Sequence, residues 1–117
     1  MCIRDSLATD LFKLNEHVAP EVERLVAQVG WKVDDVDHFV FHQPSESILL
    51  GVLDDLGVDR SKGLLTHHLY ANTVSTTVSL ALHELLKQKR VRPGDKLVLG
   101  TAAAGFSMVS LAGVWEA

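Results

Sequence analysis

The feature that most constrains the fold is the C-terminal end, where two strand-like runs follow one another with no helix between them. Lys96 to Thr101 and Phe106 to Trp115 are separated only by the small residues Ala102-Ala103-Ala104-Gly105. So short a connection joins strands only antiparallel, because a parallel crossover needs a dozen residues or more. Upstream, the strand candidates are separated by helical stretches, which is the spacing of parallel crossovers. His38-Phe39-Val40-Phe41-His42 is an aromatic and β-branched run suited to a buried strand, and Leu64-Leu65-Thr66 reads as a second, shorter one. The expected sheet is therefore mostly parallel and finished by an antiparallel hairpin.

The helices between are legible from period and punctuation. Val18, Val22, Leu25, Val26 and Val29 follow the helical repeat over 15–29, with Pro20 expected in the first turns and Gly30 as the stop. Pro44 is placed to open a helix whose apolar face is Ile48, Leu49, Val52, Leu53 and Leu56, and Gly57 ends it. The strongest helical signal runs from Thr73 to Gln88, with Val74, Val78, Ala81, Leu82 and Leu85 in phase. Ser75 and Ser79 add a small-residue face, and Lys87, Lys89 and Arg90 suit the helix C-terminus. Arg92-Pro93-Gly94-Asp95 is a turn. The order is helix, strand, helix, strand, helix, strand, strand, with no linker, so one α/β unit with helices on both faces is expected.

Composition narrows function by exclusion. At 117 residues and a formal charge of −4, without a Lys/Arg stripe, the chain gives no reason to expect nucleic acid. No apolar run approaches the roughly 20 residues of a membrane helix, so a cytoplasmic protein is expected. There is no Walker loop, Ser-x-Gly elbow or Gly-x-Gly-x-x-Gly to hold a nucleotide or a nucleophile. His67 and His68 do not suggest a metal site, because neighbours in an extended segment point to opposite sides. Cys2 is the single cysteine, which excludes an internal disulfide. It sits in Met1-Cys2-Ile3-Arg4-Asp5-Ser6, which can be encoded by ATG TGT ATA AGA GAC AGN, the read-through of a transposase adaptor. On that expectation residues 1–6 are a non-native tag, Cys2 is no nucleophile, and the domain is 7–117.

Three places are candidates for chemistry. His42-Gln43-Pro44 lies where a strand ends and a helix begins, and ligands of open α/β sheets gather at strand carboxyl ends. A histidine there is either a proton-exchanging or hydrogen-bonding group near neutral pH, or a side chain satisfied by a nearby carbonyl. Asn72 lies in the corresponding place before the next helix, as an N-cap or as an amide aimed at a developing oxyanion. The Ala102–Gly105 bend is either a bare tight turn or a backbone N–H donor facing the same space. His83 and Glu84, with His38 and His17, read as surface or packing residues. Asp34, Asp35, Asp37, Asp54 and Asp55 read as solvated faces and helix ends.

Taken in order, these motifs resemble the ketoacyl-acyl-carrier-protein synthase III family. Phe39-Val40-Phe41-His42-Gln43 is similar to the family's strand ending in His-Gln. Tyr70-Ala71-Asn72-Thr73 resembles its Tyr/His-Gly-Asn-Thr, and Val91-Arg92-Pro93-Gly94-Asp95 the turn before its penultimate strand. Leu11-Phe12-Lys13 resembles the Val-Phe-Lys opening the preceding helix. The resemblance implies the C-terminal half of a thiolase fold, with the half's first strand missing from this chain. That strand is expected in the middle of the sheet, so that two strand pairs would lack their central neighbour. It also implies a cysteine nucleophile in the other half, no cofactor or metal, and a homodimer. His42 and Asn72 then bind the thioester carbonyl of malonyl carrier protein after acyl-CoA has loaded the cysteine. The backbone N–H of Ala104 joins the oxyanion hole. Without that cysteine, the chain alone is expected to make no ketoacyl product.

Two departures stand out. Ala102-Ala103-Ala104-Gly105 replaces the family's Phe-Gly-x-Gly, and Ser45-Glu46-Ser47 replaces Asn-x-Arg after the His-Gln. They imply a bulkier acyl group or an acyltransferase of specialised metabolism; a partner subunit of the same fold without the cysteine is the non-catalytic alternative.

Overall fold

The computed structural model describes the backbone at residues 3–43, 45–70, 76–103 and 107–116, and side chains at 16–43, 45–70, 76–101 and 108–116. Helix α1 spans Ile3–Gln28, strand β1 His38–Phe41, helix α2 Glu46–Leu56, and the short helix α3 His67–Tyr70. Helix α4 spans Thr77–Lys87, strand β2 Lys96–Ala103 and strand β3 Ser107–Val114. Single 3₁₀ turns occupy Val33–Asp35 and Arg60–Lys62.

The sheet has the order β1-β2-β3. β1 pairs with β2 in parallel, from His38↔Leu97 to Phe41↔Gly100, and β2 pairs with β3 antiparallel, from Lys96↔Val114 to Ala103↔Ser107. The closing hairpin therefore dictates the mixed sheet as its spacing required. The expected central gap is overturned: β1 and β2 are direct neighbours, so the sheet is continuous and a further strand has room only at an edge. The far side of β3 is one such edge, and Val109 and Leu111 on that strand are 60% and 61% exposed.

Period-two alternation divides the core between two faces. Phe39 and Phe41 of β1 and Val98 of β2 pack with Val22 and Val26 of α1 and Leu49, Val52, Leu53 and Leu56 of α2. Val40 and Leu97 point the other way and pack with Ala81 and Leu85 of α4. All of β1 is buried, as expected for a strand with helices on both sides.

Four expectations are corrected. α1 begins well before residue 15, because Leu7, Leu11, Leu14 and Val18 continue the helical period upstream; Pro20 therefore sits inside the helix. Ser45, not Pro44, caps α2: its hydroxyl accepts from the Ile48 amide at 3.3 Å, and Pro44 lies outside the described residues. Leu64-Leu65-Thr66 forms no strand; one parallel bridge, Phe39↔Gly63, is all that joins this segment to the sheet. The chain passes so close to α2 there that a Cβ on Gly63 would lie 2.6 Å from Leu53 Cδ1. On α4 the buried face is Thr77, Ala81, Glu84 and Leu85, while Ser79 is exposed and Ser75 lies outside the described residues.

Helices α2 and α4 end in the same hydrogen-bond pattern with different residues. Gly57, with φ of 70°, lets its own N–H reach Asp54 O at 3.0 Å and the Val58 N–H reach Leu53 O at 3.2 Å. After α4 the left-handed position is held by Lys89, with φ of 53°, whose N–H donates to Leu86 O at 3.0 Å while Arg90 N–H donates to Leu85 O at 3.1 Å.

Candidate active site

Parallel pairing places the carboxyl ends of β1 and β2 on one side, and the bridge at Gly63 runs the following segment in the same direction. His42 is the first residue beyond β1. Its backbone N–H donates to Gly100 O at 3.0 Å, so the ladder extends one residue past the strand and fixes where the half-buried imidazole begins.

Gln43 is 1% exposed and turns toward the segment after Gly63. Its Nε2 donates to Leu64 O at 2.7 Å, and its Oε1 accepts from Thr66 N–H at 2.8 Å and His67 N–H at 3.2 Å. His67 Nδ1 lies 3.2 Å from the Gln43 carbonyl, which can only accept, so this nitrogen carries the proton. Thr66, buried, closes α3 by accepting from Leu69 and Tyr70 N–H, each at 3.0 Å. One glutamine thus replaces the hydrogen bonds that a second strand would have made.

At the end of α3, the Tyr70 hydroxyl donates to Glu84 Oε1 at 2.7 Å. Glu84 was read as a surface or packing residue; it is 4% exposed, on the inward stripe of α4 with Ala81 and Leu85. The hydrogen bond from Tyr70 holds the Glu84 carboxyl below its ordinary range, with Lys87, Gln88 and His83 adding and burial opposing. The same bond raises the Tyr70 phenol, reinforced by burial and by the Glu84 charge. Its helical spacing from Thr77 and Ala81 was the available signal for Glu84. Nothing local in the sequence pairs it with Tyr70.

His67 and His68 occupy a helical turn, not the extended segment expected, and still diverge: His67 faces Gln43, and His68 Nδ1 lies 3.4 Å from Glu46 Oε1. Among the described residues no group of three His, Cys, Asp or Glu side chains is placed to hold a metal ion. At the opposite end of β1, buried His38 meets Asp95 Oδ2 at 3.2 Å, a packing role that ties the strand start to the turn before β2. Asp37 accepts from Lys96 N–H and Asp54 pairs with Arg60, so the acidic residues serve loop and helix ends. Asn72, Ala104 and Cys2 lie outside the described residues.

The ordered motifs around the strand leading into His42-Gln43 resemble the ketoacyl synthase III family, and comparison with known proteins agrees on the family. The pattern of the family described as "3-Oxoacyl-[acyl-carrier-protein (ACP)] synthase III C terminal" matches residues 26–115. The beta-ketoacyl-[acyl-carrier-protein] synthase III of Porphyra umbilicalis is 30% identical over 95 residues, covering 81% of this chain and 29% of that protein. Among solved structures, the 3-oxoacyl-(acyl carrier protein) synthase III of Pseudomonas aeruginosa PAO1 superposes with a TM-score of 0.81 at 32% identity, over 85% of this chain and 30% of that one. The priming beta-ketosynthase of the R1128 polyketide biosynthetic pathway gives 0.86 at 26% identity, over 93% and 33%. The chain thus spans less than a third of the length of the first curated relative. It has the C-terminal half of a thiolase-like fold, and it belongs to the 3-oxoacyl-[acyl-carrier-protein] synthase III C-terminal family.

Proposed function

We propose that residues 7–117 form the C-terminal domain of a decarboxylating condensing enzyme, with residues 1–6 an adaptor-derived tag. In this reading an upstream cysteine attacks an acyl-CoA, forming a thioester and releasing CoA thiol. Malonyl carrier protein then binds with its thioester carbonyl against His42 and Asn72. Cleavage of its C–CO₂ bond leaves the electron pair as an enolate, whose oxygen the two side chains stabilise. The enolate carbon attacks the acyl carbonyl, whose oxyanion the Ala104 N–H helps to bind. Collapse expels the cysteine thiolate and gives 3-oxoacyl carrier protein. A homodimer is the expected assembly. Donors fixed in advance toward a developing oxyanion contribute more than solvent does, because they need no reorganisation.

The observation that carries this reading is His42, held at the carboxyl end of a buried parallel strand by its N–H bond to Gly100 O, inside a family match over residues 26–115. In the full-length protein, His42→Ala should lower malonyl-thioester decarboxylation by about 10²–10³-fold. Unchanged decarboxylation would remove His42 from the mechanism. Sequencing the coding DNA upstream of Leu7 tests the cysteine: a half without one favours the partner-subunit alternative. A specialised acyl substrate is favoured by Ala102-Ala103-Ala104, where the family carries an aromatic, and by the similarity to a polyketide priming synthase.

A further inference from the structure

We propose that Gln43 is a positioning residue that sets the segment leading to Asn72 against the strand end bearing His42; this rests on the condensing-enzyme reading above. The segment 64–67 has no ladder to hold it, since its pairing with the sheet is the single bridge at Gly63. Gln43 supplies the missing bonds with one side chain. Both acceptor sites of Oε1 are used, by Thr66 and His67 N–H, and Nε2 donates to Leu64 O. Its backbone carbonyl accepts a hydrogen bond from His67 Nδ1–H at 3.2 Å.

The side chain is 1% exposed, so water is not available to replace these partners. Its neighbour His42 is tied to β2 through Gly100 O. Two consecutive residues therefore refer the two halves of the candidate site to one strand end: His42 to the β2 side and Gln43 to the side from which the chain proceeds, through α3, toward Asn72. A carboxylate in place of the amide, assayed at a pH where it is ionised, keeps the acceptors but loses the donor, and sets an oxygen against the Leu64 carbonyl. The segment must then shift relative to His42, while the sheet stays intact.

The test uses the full-length protein and separates two half-reactions. Gln43→Glu should lower decarboxylation of a malonyl thioester by about 10–100-fold in kcat, the range expected for a misplacement near 1 Å. Its KM and the release of CoA on acyl loading should stay within about twofold of wild type. A merely destabilised protein loses both half-reactions together, and that result overturns the proposal. A crippled His42→Ala beside a fully active Gln43→Glu overturns it alone. An active His42→Ala overturns the functional reading, and the positioning role with it. Should Gln43→Glu fail to fold, hydrogen exchange in the wild type decides. Thr66 and His67 amides protected as well as those of β2 support the role, and exchange at the rate of exposed loops refutes it.

Discussion

Gly100 sits where the fold and the site meet, and Gly100→Ala measures how tightly they are coupled. An ideal Cβ at this position would lie 2.8 Å from both Cδ1 and Cε1 of Phe41 and 3.5 Å from Ser110 Oγ. Ordinary contact begins near 3.4 Å, so the ring must give by about 0.6 Å. Phe41 is 5% exposed and packed with Phe39, ring centroids 5.8 Å apart, so it has no open side to move into. Overpacking of this kind costs about 1–3 kcal/mol. Gly113, on the neighbouring strand, is the control: a Cβ there meets nothing within 4 Å, so Gly113→Ala should change stability by no more than about 0.5 kcal/mol. Trp31 packs against the α1–α2 side of the core and Trp115 against the α4 side, so tryptophan emission during urea unfolding reports both faces. With m of about 1.5–2 kcal/mol/M, the Gly100→Ala midpoint should fall by about 1 M relative to Gly113→Ala. Adding Phe41→Leu should return part of the loss through a coupling of about 0.5–3 kcal/mol. Equal midpoints for the two alanine variants, or a penalty indifferent to Phe41→Leu, would refute the contact as the cause.

Two further outcomes follow from the helix ends and the Tyr70–Glu84 bond. Lys89 holds a left-handed conformation that glycine adopts without steric cost, so Lys89→Gly should stabilise the protein by about 0.5–1 kcal/mol in the same urea assay, and a loss would contradict the cap. The folded pKa of Glu84 is depressed, so its bond with Tyr70 contributes stability that is fully present above the unfolded value, about 4.3, and lost as pH falls through the folded one. Tyr70→Phe should flatten that acid limb, and superimposable limbs would remove the bond from the account. Tyr70 is the only tyrosine, so tyrosinate absorbance reads its raised phenol directly, and Glu84→Gln should bring the midpoint back toward about 10.

The parts of the fold set by period and punctuation were legible. Alternation in Phe39-Val40-Phe41 and in Leu97-Val98 required burial on two faces, and the short connection required the antiparallel hairpin. Ala102 and Ala103, read as bend, instead continue β2 and pair with Met108 and Ser107. Gly57 announced the end of α2. What was hidden depends on pairing at long range. Leu64-Leu65-Thr66 has strand composition, yet the polar groups of Gln43 satisfy its backbone and leave no ladder to form. The start of α1 was missed because Pro20 resembles a first-turn proline, although the helical spacing continues upstream of it. The position of His42, just after a buried strand, was legible. The support from Gln43 was not, because a glutamine twenty or more residues from its partners carries no spacing signal. Glu84, read as a surface or packing residue, is the packing one, and what the spacing did not announce is its partner, the Tyr70 hydroxyl.

The strand that presents His42 is thus held by different means on its two edges. Toward β2 it has the registered parallel pairs from His38 to Phe41 and the added N–H bond of His42. Toward residues 63–67 it has one bridge, at Gly63, and the amide of Gln43. Ladder bonds between buried strands break only with the sheet, because the helices on both faces must move with them. Bonds made by one side chain depend on that side chain alone, and burial of Gln43 at 1% exposure keeps water from replacing them. His42 is therefore registered by the strand ladder, and residues 63–67 by one bridge and one buried side chain. If the proposed positioning role holds, a change at Gln43 should act on the 64–67 side of the strand end and leave the β2 side, where His42 N–H meets Gly100 O, in register.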